Sequence, residues 1–184
     1  MIKHIESFFN RVKKNEIEIY NEFSLQHELG IHLRSRLSPS KIEFERPITF
    51  FKLKRPDLVK AEIDICVYSN QRSPDAAIEL KFPRAGQYPE QMFSSFRDIC
   101  FLEQLVLSKF TAGYFVFVAD DPVFYSGKSN GIYRFFRSGT TVTGQIFRPT
   151  GNKITSVNIS GQHRVEWKAV REKMRYFVAS IVRA

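Results

Sequence analysis

The sequence predicts an α/β fold: a central mixed β-sheet flanked by helices, with additional strands toward the C-terminus. Three observations carry this. Apolar residues recur at helical spacing in two segments, 16–37 and 89–110. Short runs rich in Ile, Val and aromatic residues separate and follow them. Residues 112–119 form a continuous apolar run, as expected of a strand buried on both faces of a sheet. No repeat, low-complexity tract or Pro/Gly/Ser-rich linker divides the 184 residues, so residues 1–184 read as a single domain.

The first helix is carried by Leu25, Leu29, Leu33 and Leu37, a four-residue step that ends at Ser38-Pro39. Residues 41–51, with Ile42, Phe44 and the Pro47-Ile48 corner, read as an edge-like strand. Residues 60–68 and 76–82 read as the two strands of a β-hairpin, joined by the polar turn 69–75. A loop at 84–88 then leads to Pro89, well placed in the first turn of the second helix, whose apolar positions include Met92, Phe96, Ile99, Leu102, Leu105 and Val106. Asp120-Asp121-Pro122 closes the strand 112–119. From Gly131 onward short apolar pieces alternate with Gly or polar breaks, which predicts mostly strands. Residues 174–182 fit either a helix or a terminal strand and are read as a strand.

Composition narrows the function. Hydrophobic residues make up 43% and aromatic residues 14%, enough for a buried core and too much for a disordered chain. Lys and Arg number 28 against 19 Asp and Glu, a formal charge of +9, so a polyanion is the expected partner. No apolar stretch approaches the roughly 20 residues a transmembrane helix needs, and residues 1–11 carry charges where a signal peptide has its apolar core. A cytoplasmic protein without a membrane partner is expected. Cys66 and Cys100 lie in apolar segments and suit reduced core residues, while His4, His27, His32 and His163 show no zinc spacing.

Chemistry concentrates in the predicted hairpin. Alternate side chains of a strand share a face, so Glu79 and Lys81 point together while Ile78, Leu80 and Phe82 point away. Pairing through the polar turn can set Asp64 beside Glu79, and cross-strand neighbours approach to about 5 Å between Cβ atoms. Two carboxylates so close repel unless a divalent cation lies between them, and carboxylate oxygen with water is the ligand set Mg²⁺ prefers. Lys81 then has two plausible tasks: holding or deprotonating an attacking water, and stabilising charge on a phosphate oxygen. Glu22 falls between Leu29 and Leu33 on the helical wheel, which directs it toward the core side and the rim of the same site.

This arrangement resembles the PD-(D/E)xK superfamily of metal-dependent nucleases, with its restriction endonuclease-like fold. The resemblance covers residues 16–119 and maps the first motif acid to Asp64, the Glu-x-Lys motif to Glu79-Leu80-Lys81, and the leading-helix acid to Glu22, with Glu28 as rival. The family's proline before the first acid is absent, and Ile63 stands there instead. The resemblance implies a core of four mixed strands in the order helix, strand, strand, strand, helix, strand. It also implies Mg²⁺ held by Asp64 and Glu79, with Mn²⁺ as a substitute, DNA as substrate, and a homodimer as one assembly able to cut both strands.

Glu-x-Lys occurs twice. Glu166-Trp167-Lys168 also lies in an apolar piece, but the strand candidate before it, 154–160, carries no acid, so context selects Glu79-Leu80-Lys81. Lys52, Lys54, Arg55 and Lys60, with Arg134, Arg137 and Arg148 among aromatic residues, can track a phosphate backbone. Gln87, Gln91 and Arg97 read as a solvated polar face. Three alternatives stay open: an ordinary cross-strand ion cluster at Asp64, Glu79 and Lys81, a catalytically silent nuclease-fold module that binds nucleic acid or serves in assembly, and a basic protein-interaction domain that never touches nucleic acid.

Overall fold

The computed structural model describes every residue except Pro56, Ala85, 152–154 and Ala184. Helices α1 (Ile2–Lys13) and α2 (Glu22–Arg34) precede strands β1 (Lys41–Pro47), β2 (Glu62–Tyr68) and β3 (Pro74–Lys81). Helix α3 (Tyr88–Ser108) crosses over to β4 (Ala112–Ala119), followed by the short α4 (Tyr133–Arg137), β5 (Val142–Phe147), β6 (Ser156–His163), β7 (Lys168–Ala169) and β8 (Arg175–Val182). Six strands form one sheet in the order β1-β2-β3-β4-β8-β7. Only β3 and β4 run parallel, joined through α3, and the remaining neighbours are antiparallel, so the sheet is mixed as expected.

Both faces of the sheet are covered. Leu25, Leu29 and Leu33 of α2 and Ile5, Phe8, Phe9 and Val12 of α1 pack with Ile65, Val67, Ile78, Leu80, Val116 and Val118 on one side. On the other, α3 contributes Met92, Phe96, Ile99, Leu102 and Leu105 to a cluster with Cys66, Ala77, Phe115 and Phe117. The alternation of β3 thus sends its apolar residues to α2 and leaves Glu79 and Lys81 facing α3. Gly30 allows α2 to lie close on β1, because a Cβ there would collide with the Phe44 ring. No helix among the described residues is long and apolar enough to cross a membrane.

Four local expectations change: the edge-like strand expected over 41–51 ends at Pro47 and gives way to a 3-10 turn over Ile48–Phe51. The first predicted helix begins at Glu22 and not near residue 16: Asn21 accepts the Ser24 N–H (2.8 Å) while the Ser24 hydroxyl accepts the Asn21 N–H (3.1 Å), a reciprocal cap that defines the start. Helix α1 was not expected; its buried residues recur every three or four positions, and the charges that argue against a signal peptide occupy its outer side. The stretch after Gly131 contains α4 as well as strands. Residues 174–182 resolve as a strand, since β8 pairs antiparallel with β4 from Ala112↔Val182 to Ala119↔Arg175. Residue 85 of the predicted loop and residue 154 of the predicted strand lie outside the described residues.

Candidate active site

The hairpin ladder runs from Tyr68↔Pro74, through a bulge between Val67 and Tyr68, to Ile65↔Ile78, and at the next step carboxylates replace carbonyls as acceptors. Leu80 N–H donates to Asp64 Oδ2 (2.7 Å) and Asp64 N–H donates to Glu79 Oε1 (3.2 Å). Each acid is therefore fastened to the opposite strand, which fixes the side chains and satisfies two backbone donors. On the other side of β2, the register passes from Phe44↔Ile65 to Arg46↔Ile63, with Glu45 between them at φ +49°. The Gln26 amide donates to Glu45 Oε1 (2.6 Å) and to the Asp64 carbonyl (2.8 Å), tying α2 to this break.

Glu22 reaches the same end of the sheet from the first residue of α2. Its Oε2 accepts the Phe82 N–H (2.9 Å), and its Oε1 lies 3.9 Å from Lys81 Nζ. With its side chain 45% exposed, Glu22 stands at the rim. The rival Glu28 instead pairs with His27 (3.5 Å) and lines an outer cavity of about 400 Å³ with Tyr20, Phe23 and Phe44. The structure therefore brings together Glu22, Asp64, Glu79 and Lys81, and leaves Glu28 outside.

Two further residues complete the cluster. Asp98, buried on α3, lies 3.0 Å from Lys60 Nζ through Oδ1 and 3.5 Å from Lys81 Nζ through Oδ2, an oxygen with no hydrogen-bond partner among the described residues. Lys60 hydrogen-bonds Glu79 and lies 3.7 Å from Asp64 Oδ1. It is thus a counter-ion inside the cluster, and not one of the exposed cations that could track a phosphate backbone. A wheel through α3 could have found Asp98, since it shares the buried stripe with Ser95 and Leu102. Nothing local marks Lys60, which precedes β2 in a stretch without regular structure.

Four carboxylates thus share two ammonium groups. Burial pushes Asp64 up to about 6 against the opposing pull of Lys60, and raises Glu79 well above the usual carboxylate range, with the Asp64 charge adding to the effect. Burial alone would lower both lysines, but the carboxylates reverse it. Lys60, facing Glu79, Asp98 and Asp64, is held well above the ordinary lysine range, and Lys81, facing Asp98 and Glu22, is held above it. Cys66, behind Asp64 on the same strand, is buried with its thiol pushed up to about 12 by burial, which makes it packing and not a nucleophile.

The oxygen-only donors suit a hard cation, and Asp98 Oδ2, ion-paired with Lys81 but without a hydrogen bond, leaves acceptor capacity in the buried cluster. Among the described residues no three Asp, Glu, His or Cys side chains converge as a ready-made metal cage. Mg²⁺ commonly takes only one or two carboxylates and fills its sphere with water and substrate phosphate, so Asp64 and Glu79 fit that smaller role.

The basic candidates divide. Lys52, Lys54, Arg55 and Arg134 are exposed. Arg137 is committed to structure, donating to the carbonyls of Val123 and Lys128 and lying over the Tyr133 ring, and Arg148 pairs with Glu90 (2.9 Å). The second Glu-x-Lys lies at the sheet edge, where Glu166 is exposed and Lys168 pairs with Glu6 (2.6 Å). No family model, curated protein or solved structure matches this chain.

Proposed function

We propose that the protein is a divalent-metal-dependent phosphodiesterase acting on DNA. One observation carries the reading: Asp64 and Glu79 stand on facing strands, each fastened to the other strand's backbone, with Lys81 two residues along on the same face. Asp64 and Glu79 would hold the metal. When bound, such an ion polarises the scissile phosphate and acidifies a bound water.

The chain's own groups complete the site. Lys81, anchored between Asp98 and Glu22, stays protonated at neutral pH and so cannot accept a proton from water. Of its two plausible tasks, this favours stabilising charge on a non-bridging phosphate oxygen as the phosphodiester is displaced. Asp98 and Glu22 keep the ammonium aimed, the one from beneath and the other from the rim. The chain's +9 charge and the exposed Lys52, Lys54, Arg55 and Arg134 support a polyanionic substrate. The silent-module reading has its own support, because Lys60 already supplies a cation to Glu79, Asp98 and Asp64.

The test is incubation of purified protein with supercoiled plasmid in Mg²⁺, in Mn²⁺ and in EDTA. Strand cleavage in either metal, absent in EDTA and absent in Glu79→Gln, is the expected result. DNA that stays intact in both metals while the protein binds it would favour the silent module.

A further inference from the structure

Carboxylates from β2, β3 and α3 each border the ammonium of Lys60, which none of those elements supplies, although they are not disposed as a metal cage. The Lys60 ammonium bonds Glu79 and lies 3.0 Å from Asp98 and 3.7 Å from Asp64, while Glu79 is fully buried. A buried carboxylate needs a compensating positive charge, and Lys60 provides it from within the chain. We propose that Lys60 is an internal stand-in for the divalent cation: ammonium and metal compete for the oxygens of Asp64 and Glu79, and the site takes up metal only as the Lys60 side chain swings out. This rests on the phosphodiesterase reading for the identity of the metal ligands and adds the order of events at them.

The geometry suits an exchange of side chain for ion without movement of the backbone. Val59 N–H donates to Gln104 Oε1 (2.9 Å) and the Ala61 carbonyl accepts the Ile48 N–H (2.9 Å), so the chain is pinned on both sides of Lys60. The flexible four-carbon stem can rotate while those bonds hold, and the side chain, 26% exposed, has a path to solvent. Asp98 keeps a partner after the departure, because Lys81 stands 3.5 Å from its other oxygen. Simultaneous occupancy is unfavourable, since an ammonium and a divalent ion sharing the same carboxylates repel in a poorly screened interior.

The test measures Mn²⁺ binding to the full chain by the loss of the free-ion electron paramagnetic resonance signal, in wild type, Lys60→Met and Lys60→Gln. Both variants are expected to bind Mn²⁺ at least tenfold more tightly than wild type, and adding Glu79→Gln to Lys60→Met is expected to abolish the gain. Removing Lys60 leaves buried carboxylates uncompensated, so a measurement on the wild type stands beside these. Saturating Mg²⁺ should speed acylation of Lys60 by an N-hydroxysuccinimide ester severalfold, read by peptide mass spectrometry, while exposed Lys52 is unaffected.

Equal or weaker Mn²⁺ binding in both folded variants overturns the proposal. So does a gain that survives Glu79→Gln, or Lys60 acylation unchanged in wild type that has bound Mg²⁺; should neither variant fold, the acylation result decides. Absence of Mn²⁺ binding in wild type and in both folded variants would remove the metal reading itself. That outcome differs from metal binding on which Lys60 has no influence.

Discussion

The chain carries the same Glu-x-Lys tripeptide in two places, and the sheet treats them in opposite ways. Glu79 is fully buried at the end of the hairpin, bonded to the Asp64 N–H and to Lys60, with Lys81 facing Asp98. Glu166 is exposed beside the two-residue edge strand β7, and Lys168 points across the surface to Glu6. The tripeptide specifies only that two charges can share a strand face. A facing acid and desolvation turn them into a tightly coupled charge cluster, because charges interact strongly only where water is excluded.

The comparison breaks most sharply at activity. Glu79→Gln and Lys81→Ala should each lower metal-dependent cleavage by on the order of a thousandfold, comparable to removing a charge-stabilising group from an active site. Glu166→Ala should retain wild-type turnover in the same plasmid assay. A matching loss in Glu166→Ala would show that the edge copy is the working one.

Stability comes next. Lys60→Met strips the compensating charge from Glu79 and should cost about 3–5 kcal/mol in urea unfolding of the metal-free protein, as for any buried pair losing one partner. Lys168→Met removes an exposed pair and should cost less than about 1 kcal/mol. Equal costs would mean that the inner pair is as well solvated as the outer one.

The buried copy also brings a pH response, set against that of His32 on α2. Asp64 is raised to about 6 in the folded chain from its ordinary value of 3.8, so between roughly pH 4 and 6 the unfolded chain has released a proton that the folded one retains. Asp64 therefore favours folding at low pH, and that contribution is lost as pH rises through about 6. His32, buried with neither ring nitrogen hydrogen-bonded and its pKa lowered to about 4 chiefly by burial, acts in the opposite direction, destabilising the fold as pH falls below about 6.5. The informative quantity is thus the difference between wild type and Asp64→Asn. Relative to the variant, wild type should lose on the order of 2 kcal/mol as metal-free samples go from pH 4 to 7. Parallel profiles would contradict the burial of Asp64.

The smallest effect concerns the substrate surface. In Ca²⁺, whose looser coordination suits binding better than turnover, duplex DNA affinity should fall steeply with salt, and Arg134→Glu should flatten the logarithmic slope by about one. Glu166→Gln should leave the slope alone. Salt-independent binding would remove nucleic acid from the account.

Much of this was legible in the residues themselves. The limits of β4 and the apolar runs of the hairpin follow from the residues between turns, although β3 begins at Pro74 inside the predicted turn and a bulge between Val67 and Tyr68 sets the register that brings Asp64 across from Glu79. Helix α1 was legible in principle from Ile5, Phe8, Phe9 and Val12, but its charges drew the reading toward what it was not. Glu22 was found from the wheel, although its place as the first helical residue depends on the Asn21 cap.

What tertiary structure alone decided is how the charges in the cluster are balanced. Sequence patterns report periodicity, and periodicity says which face a residue takes within its own element. It cannot say that Lys60, 19 residues before Glu79, would become its counter-ion, or that α3 would bring Asp98 against two lysines. Nor could it separate Arg134, left exposed, from Arg137, which is spent on loop carbonyls three residues later. These outcomes depend on distances between elements set by packing around the sheet. The sequence by itself determined the α/β class and the strand-forming runs of the hairpin, because those rest on local alternation; the pairing of the sheet, the register that faces the acids and the buried balance of charge came only with the fold.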